Sequence, residues 1–286
     1  MLKIDEFESV FRSAIKDHYQ HADINIRSAV LVTDLASADS EALLAQVKTF
    51  CQSLEAANPI TWHCINGGDF RQAEALLKNV ESLSVDLIVT YRNLYSQAWQ
   101  HPFSLGEHLD IMVQKTPTPV LVIPHPRANY QRSPDLEQCA SVMVVTDHMV
   151  NNHLLVNCGL SFLPAKGELY LTHIEDQSYF DRIIEAFSKI PDIDTELAHK
   201  TLGEQLLKGP ADYINSVITE LDALQRQIHV NAIVEFGHKL KDYIKHINEK
   251  HVDLLVINTK DGDQMAMHGL AYPLAIEVRS IPVLML

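Results

Sequence analysis

The sequence lacks a long apolar run. No hydrophobic segment approaches the roughly 18 residues that suggest a membrane-spanning helix. The first twenty residues are charged and have helical periodicity, unlike a cleaved secretory signal. We therefore expect a protein with no membrane partner, and the cytoplasm is its expected location.

Positive charge is scarce as well. The chain has 23 Lys and Arg against 37 Asp and Glu, which gives a formal net charge of −14. Attraction to nucleic acid or to anionic lipid depends on clustered Lys and Arg. This balance predicts that the protein has no nucleic-acid partner.

The cysteines and histidines lack the spacings that metal sites require. The four cysteines are far apart and contain no CxxC pair: Cys51, Cys64, Cys139 and Cys158. We expect buried free thiols in a reducing compartment. The fifteen histidines show no zinc-finger or HExxH spacing. The adjacent pair His63 and Cys64 would point to opposite faces of a strand, so we expect no metal site.

A recognisable catalytic arrangement is also missing. No Ser-His-Asp, Cys-His or paired-carboxylate pattern is specific enough to identify a nucleophile or a general base. We therefore assign no catalytic residue, and the sequence favours a protein that is not an enzyme.

What the chain does contain is an internal repeat. Residues 252–286 have the pattern of a buried strand, a polar loop, a short helix and a second buried strand, and residues 85–123 repeat it. Each copy starts further upstream, where an apolar strand ends in Val-Thr-Asp, at Asp34 and at Asp147. A length of 286 residues agrees with about two domains.

The two copies differ in length. Asp34 and Asp86 are 52 residues apart, whereas Asp147 and Asp253 are 106 apart. The first copy is therefore short by one strand and one helix, and the order of its remaining segments suggests that the second strand and second helix are the missing ones.

A polar, proline-containing stretch at residues 124–138 has the composition of a linker. It divides the chain near residue 130, into predicted domains at 1–128 and 137–286.

Two helical segments stand outside the repeat. Residues 3–20 have one apolar helical face, expected to pack on the first domain, and its members are Phe7, Phe11, Ala14 and Ile15. A long helical insertion at about 178–226 lies in the second domain, with expected breaks at Pro191 and at Gly209-Pro210.

These patterns resemble a known family. The segment Val85-Asp86-Leu87-Ile88-Val89, followed by a loop, a Gly, an amphipathic helix and Pro119-Val120-Leu121-Val122-Ile123, is similar to the second half of a universal stress protein domain. The chain therefore resembles a tandem universal stress protein. The resemblance implies an α/β fold with two doubly wound parallel-sheet domains of the adenine nucleotide alpha hydrolase-like type, the first one shortened.

The resemblance also implies where a ligand would lie. Nucleotide-binding members use the Asp after the first strand, backbone groups of the second strand, and a loop of pattern G-x2-G-x9-G-[S/T]. The matching candidate residues are Asp34, Asp147, His173, Ile174, Thr259, Gly262 and Gly269.

The loop motif departs from the family pattern in both copies. Tyr91 stands at the opening Gly of the first copy and Glu107 at its hydroxyl position. In the second copy the same two positions are Asn258 and Leu270. Asp34 and Asp147 have an alternative role as caps of the following helix or turn. For Gly262 and Gly269 the alternative is turn and helix-start geometry.

Three functional interpretations stay open at this point. The leading one is a non-enzymatic stress-response protein that acts through association or weak small-molecule binding. The second is an ATP-binding switch or slow ATP hydrolase that uses the second domain, with ATP or AMP as ligand. The third is an interaction scaffold without a ligand. No cofactor is certain.

The terminal strands at residues 119–123 and 282–286 suggest how the halves associate. Each is expected at the edge of its sheet, and an open apolar edge invites pairing with another strand. In the resembled family the last strands pair across a two-fold axis. We therefore expect the two domains to pair through these strands within one chain, with homodimer formation left open.

Overall fold

The computed structural model describes residues 18–101, 103–128, 136–145, 152–191, 193–259 and 269–286. Its strands are β1 (Ser28–Val32), β2 (Thr61–Ile65), β3 (Leu87–Tyr91), β4 (Val120–Ile123), β5 (Ser141–Val145), β6 (Glu168–Asp176), β7 (His229–Gly237), β8 (Leu254–Ile257) and β9 (Val283–Met285). Its helices are α1 (Ser37–Phe50), α2 (Gln52–Ala57), α3 (Ala73–Leu83), α4 (Glu107–Lys115), α5 (His153–Ser161), α6 (Gln177–Phe187), α7 (Thr195–Ala223), α8 (Lys239–Glu249) and α9 (Ala271–Glu277). A short 3-10 turn lies at Ala98–Gln100.

The nine strands form one sheet in the order β2-β1-β3-β4-β9-β8-β5-β6-β7. Every residue of β3, β4 and β8 is buried. Continuous apolar runs of this kind are typical of parallel strands that helices cover on both faces. The predicted α/β class with a doubly wound parallel arrangement is confirmed.

Strand direction divides the sheet into two sets. Strands β1 to β4 are parallel to one another, and β5 to β9 are parallel to one another. The sets meet where β4 pairs antiparallel with β9, with Val120 opposite Met285 and Val122 opposite Val283. The terminal strands therefore join two expected sheets into a single continuous one.

Arg92, just after β3, makes a second connection between the sets. Its guanidinium donates to the carbonyl oxygens of Ile276 (2.9 Å) and Val278 (2.5 Å) at the end of α9. Cations at a helix C-terminus satisfy carbonyl groups that have no partner within the helix. The loop after β3, in the first set, thus binds the C-terminal end of α9, in the second set.

The first set has four strands in the described residues, and the second has five. In the second set β6 lies beside β5 and β7 lies outside it; in the first set β2 lies directly beside β1. By position, the missing strand therefore corresponds to the outer strand β7. The expectation that the second strand was lost is wrong, because β2 occupies the place of a second strand.

The long helical section differs from expectation in one respect. It forms α6 and α7, and α7 continues through Pro210 without a break. Proline removes one backbone hydrogen bond. Pro210 is itself buried, and the buried residues of α7 begin there and include Tyr213 and Val217. Packing of this second half of the helix on the sheet offsets the lost bond.

The start of the described chain also packs differently from expectation. Residues 3–17 lie outside the described residues, but Tyr19 contacts Asn157 of α5 and Ser216 of α7. The described segment before β1 therefore contacts helices of the second set through Tyr19, and Asn25 accepts a hydrogen bond from Asn58 of the first set. No helix in the described ranges combines the length and apolarity of a membrane span.

The four cysteines are free thiols, as expected, but they are not all buried. Three of them lie in the core, whereas Cys64 is exposed. Cys64 belongs to β2, which is an outer strand of the sheet. In the described sheet this strand has a neighbouring strand on one side only, so it is covered less completely.

We predict that Val283→Asp disrupts the joint between the two sets. Val283 is fully buried and its strand pairs on both sides, so the carboxylate would be placed without a partner. The expected loss of unfolding free energy is more than about 3 kcal/mol, measured by urea denaturation. Leu224→Asp is the control, because Leu224 is 48% exposed. Equal unfolding midpoints for the two variants would contradict this prediction.

Candidate functional site

The strands of the two sets run in opposite directions. The carboxyl ends of the first set therefore lie at one end of the strand axis, and those of the second set lie at the other, so the two candidate ligand sites are on opposite sides of the sheet. In open parallel sheets, ligands lie beyond the carboxyl ends of the strands. The carboxyl ends of β1 and β3 carry Asp34 and Tyr91, and those of β6 and β8 carry Ile174 and Thr259. Asp34 is therefore not brought together with the other described candidates.

At the first end, groups of the chain itself surround the Asp34 carboxylate. The Tyr91 hydroxyl donates to Asp34 Oδ1, and the Tyr95 backbone N–H donates to Oδ2 at 2.9 Å. The same Tyr91 hydroxyl lies 2.6 Å from the Thr33 hydroxyl. Burial and the bond to Asp34 raise the pKa of Tyr91, so it stays a neutral donor. Asp34 therefore stabilises the loop after β3.

That loop depends on unusual backbone conformations. Asn93 and Tyr95 both have positive φ, at 57° and 60°, and Gly106 has φ of 89°. The Asn93 N–H donates to the Leu105 carbonyl at 2.8 Å, and the Asn93 side chain exchanges hydrogen bonds with Ser104. A Cβ on Gly106 would lie 2.7 Å from the Asn93 backbone. The two ends of the loop are thus held together tightly.

Aromatic side chains pack together beside Tyr91, the hydrogen-bond partner of Asp34. The imidazole of His125, after β4, stacks on Trp99 at 4.6 Å and meets the edge of Tyr91 at 4.8 Å. Its Nδ1 accepts from the Arg127 N–H at 3.1 Å. Burial lowers the pKa of His125 to about 4, against a smaller opposite effect from Asp34. The ring is therefore neutral at pH 7.

At the second end, Asp147 and Gly262 lie outside the described residues. Ile174 donates its N–H to the Tyr243 hydroxyl at 2.9 Å. Both the N–H and the hydroxyl of Thr259 donate to the Leu286 carbonyl, at 2.9 and 2.6 Å. These polar groups are used within the fold, and their role in ligand binding stays a prediction.

His173 is the exception among these candidates. Its ring is buried, and Nε2 lies 3.0 Å from a carboxylate oxygen of Glu175. Its Nδ1 is buried without a hydrogen-bond partner. A buried nitrogen without a hydrogen bond lowers the stability of the fold. Among the candidate residues that the structure describes, His173 is therefore the one with a polar side-chain atom still available to a ligand.

A groove of about 800 Å³ opens at the same end, between the start of α8 and the start of α9. Gly269, with φ of 55°, forms part of its rim. The other lining residues are Asp176, Ser178, His238, Lys239, Leu240, Lys241, Ile244, Leu270, Pro273 and Glu277. One wall is thus basic, two acidic side chains lie in the lining, and the remainder is mostly apolar.

Sequence reasoning missed the basic wall of this groove. The turn at Gly237, which ends β7 and precedes α8, was the available signal, because ligands collect where helices begin beyond strand ends. Asp242 accepts the His238 N–H at 2.6 Å and closes this turn. Among the described residues no cluster of His, Cys, Asp and Glu is arranged to hold a metal ion.

Comparisons with known proteins give structural resemblances only. No family model and no curated protein matches the chain. A universal stress protein from Archaeoglobus fulgidus DSM 4304 aligns with 91% of this chain and 85% of its own, at 15% identity and a TM-score of 0.47. A putative universal stress protein from Pseudomonas aeruginosa UCBPP-PA14 aligns over 91% and 93%, at 14% identity and a TM-score of 0.49. A functionally unknown protein from Pseudomonas aeruginosa PAO1 aligns over 91% and 92%, at 12% identity and a TM-score of 0.49.

At TM-scores below 0.5 these resemblances carry no argument about ligand or activity. The α/β class rests on the strand order of the chain itself.

We predict that His125 makes stability depend on pH. Its pKa in the folded chain, about 4, lies below its ordinary value of 6.5. The stabilising contribution of the neutral ring is therefore complete above pH 6.5 and is lost as pH falls toward 4. The slope is up to about 1.4 kcal/mol per pH unit.

The measurement is urea unfolding between pH 7.5 and 4 for the wild type and His125→Asn. The variant should show a shallower loss. His101→Asn, at an exposed position, should retain the wild-type slope. A His125→Asn profile parallel to that of the wild type would exclude this role.

Proposed function

We propose that the protein is a non-enzymatic, universal-stress-protein-like member of a cytoplasmic stress response. In this proposal its two sets of strands are fused domains, and only the second receives a small ligand of the adenine nucleotide class. One observation carries it, the contrast between the two ends of the sheet. At the Asp34 end aromatic side chains pack together and a cavity of about 320 Å³ lies beside Leu35 and Pro124, whereas the other end has a groove of about 800 Å³.

The chemistry of the groove supports a phosphorylated nucleoside. Lys239 and Lys241 in the lining would attract a phosphate, and their ammonium groups would have to outweigh the Asp242 carboxylate at the start of α8. Leu270 and Pro273 provide apolar surface for a flat base, and Glu277 could accept hydrogen bonds from hydroxyl or amino groups. This combination of one anionic and one apolar end favours a nucleotide over a purely apolar ligand.

A second candidate function is protein association through the helical hairpin of α6 and α7. Several large apolar side chains on or beside it are exposed, among them Tyr179, Ile190 and Leu197. Such a surface fits an interaction scaffold. The two functions are compatible, and binding measurements separate them.

We predict saturable binding of AMP and ATP by titration calorimetry. Lys241→Glu should weaken binding about tenfold or more, the loss expected from about 1.4 kcal/mol of lost interaction. Lys245→Glu makes the same charge change one turn further along α8, at an exposed position that does not line the groove. It should leave affinity nearly unchanged.

Equal weakening by the two substitutions would indicate a general charge effect and contradict the groove as the site. Absence of any titratable heat would favour the scaffold. Release of ADP from ATP, followed by chromatography, would instead favour the slow hydrolase.

We predict that Asp34→Ala affects stability and not ligand affinity. Asp34 accepts hydrogen bonds from Tyr91 and from the Tyr95 backbone. Loss of these bonds to a charged group should cost roughly 2–3 kcal/mol of unfolding free energy. Titration at a temperature where the variant is folded should return the wild-type affinity. A large fall in affinity would show that the first end, not the second, receives the ligand.

A further inference from the structure

Strand β7 forms a long outer edge of the sheet. Among the described strands it pairs with β6 alone. The register is unbroken over nine residues, from His229 opposite Glu168 to Gly237 opposite Asp176. None of the nine residues is buried, although five of them are apolar: Val230, Ala232, Ile233, Val234 and Phe236. This composition is typical of a strand that has a neighbour on each side.

Helices contact both faces of β7. On one face the Phe236 ring packs on Phe180 of α6, with ring centroids 4.7 Å apart. On the other face Glu235 lies 2.8 Å from Nε2 of His246 in α8. Successive side chains of a strand point to opposite faces, so these two contacts account for both. The side of the strand that the described chain leaves open is therefore its backbone edge.

The pairing with β6 determines which backbone groups lie on this edge. The His229 N–H donates to the Gly167 carbonyl at 3.0 Å, so the odd-numbered residues of β7 direct their backbone groups to β6. The even-numbered residues direct theirs outward, and these are Val230, Ala232, Val234 and Phe236. No backbone hydrogen bond joins these outward groups to another described segment. The edge thus presents a row of N–H donors and C=O acceptors.

The β7 edge lacks the features that usually protect such strands. Shortness, Pro, Lys and β-bulges are the common means of protection. Strand β7 has no Pro and no Lys, and its register contains no bulge. The other edge of the described sheet, β2, has five residues and directs only Trp62 and Cys64 outward, because the Thr61 N–H donates to the Arg27 carbonyl of the β1 side at 2.8 Å. The β7 edge is therefore the longer and less protected of the two.

Two copies of the β7 edge fit each other in an antiparallel register centred on Ile233. In this register Val230 lies opposite Phe236 of the second copy, and Ala232 lies opposite Val234. Every outward residue then faces another outward residue, and each opposed pair exchanges two backbone hydrogen bonds. A register centred on a neighbouring residue would leave some of these groups without a partner.

The side chains agree with the same register. A β-branched residue opposite an aromatic one, as in Val230 opposite Phe236, is a favourable cross-strand pair. On the other face the Glu235 carboxylate lies opposite Asn231 of the second copy, whose amide is a hydrogen-bond donor. No two like charges oppose each other along the strand.

We propose that β7 is a homodimer interface, at which two copies pair antiparallel about Ile233 and continue the sheet from one chain into the other. The chain already contains a joint of this kind, because β4 pairs antiparallel with β9. Helices meet across that joint as well, where Phe50 of α1 lies 6.2 Å from Phe162 after α5. The symmetry of the register supports a second copy over an unrelated peptide, since one edge supplies both sides of a two-fold interface.

Sedimentation equilibrium of the full chain tests the proposal, at loading concentrations from about 1 to 100 μM, which cover micromolar dissociation constants. The net charge of −14 on each chain opposes association, so the buffer contains about 0.15 M salt to screen it. The expected mass at the highest concentration is twice the 32.2 kDa of one chain.

Proline substitutions locate the interface. Ala232 is exposed and its N–H faces outward, so Ala232→Pro removes a donor from the edge and leaves the bonds to β6 in place. It should weaken dimer formation about tenfold or more, because two hydrogen bonds are lost in each dimer. Cys64→Pro is the matched control, since it removes an outward N–H from the edge strand β2. It should leave the association unchanged. Circular dichroism and urea unfolding verify that both variants are folded.

Cross-linking tests the register without a proline. Ile233→Cys is made in a Cys64→Ser background, which removes the exposed native thiol. In the proposed register the two introduced thiols face each other on the axis, with Cα atoms about 4.5 Å apart. Asn231→Cys, on the same face, would lie about 14 Å from its copy, four residues along the strand. Mild oxidation should therefore convert most of the Ile233→Cys protein to a disulfide-linked dimer, and little of the Asn231→Cys protein.

Three results would overturn the proposal. The first is a wild-type chain that stays monomeric over the whole concentration range. The second is an Ala232→Pro mass equal to that of the wild type, or equal weakening by Cys64→Pro, which would assign the association to another surface. The third is equal cross-linking at positions 231 and 233, which would mean that the two copies meet without the proposed register.

Discussion

The antiparallel pairing of β4 with β9 determines the arrangement of the rest of the molecule. Each strand is short and wholly buried, and each would otherwise be an apolar edge open to association. Their pairing satisfies both edges within one chain. It also reverses strand direction across the joint, and this reversal sends the carboxyl ends of the two sets to opposite ends of the sheet. Two ligands at these ends could not share a binding pocket, so the residues at each end alone determine what that end can bind.

Some of this architecture could be predicted because it depends on local pattern. Apolar runs such as residues 120–123 and 254–257 indicate buried parallel strands whatever surrounds them. The identity of the missing strand could not be predicted, because it depends on which neighbour β2 pairs with. The continuation of α7 through Pro210 was also hidden, since packing on the sheet, and not local propensity, decides it.

The candidate sites show the same division between local pattern and tertiary contact. The sequence placed Asp34 at a strand end, and that position is observed. It did not indicate that the Tyr95 N–H would donate to this carboxylate, because that contact lies in a loop where Asn93 and Tyr95 adopt positive φ. Residues other than Gly seldom adopt positive φ, and no sequence pattern predicts this conformation at Asn93 and Tyr95.

The smaller cavity at the Asp34 end agrees with the smaller number of described strands in the first set. The segment after β2 leads into α3, and it reaches the Tyr95 ring: the Tyr95 hydroxyl donates to the Phe70 carbonyl at 2.7 Å, and Arg71 lies 4.5 Å above the ring. In the second set the corresponding helix, α8, follows β7, which lies one strand, about 4.8 Å, further from the centre of its set. The start of α8 is displaced outward by that extra strand, and the groove lies beside it. The additional outer strand of the second set thus accompanies the larger of the two openings.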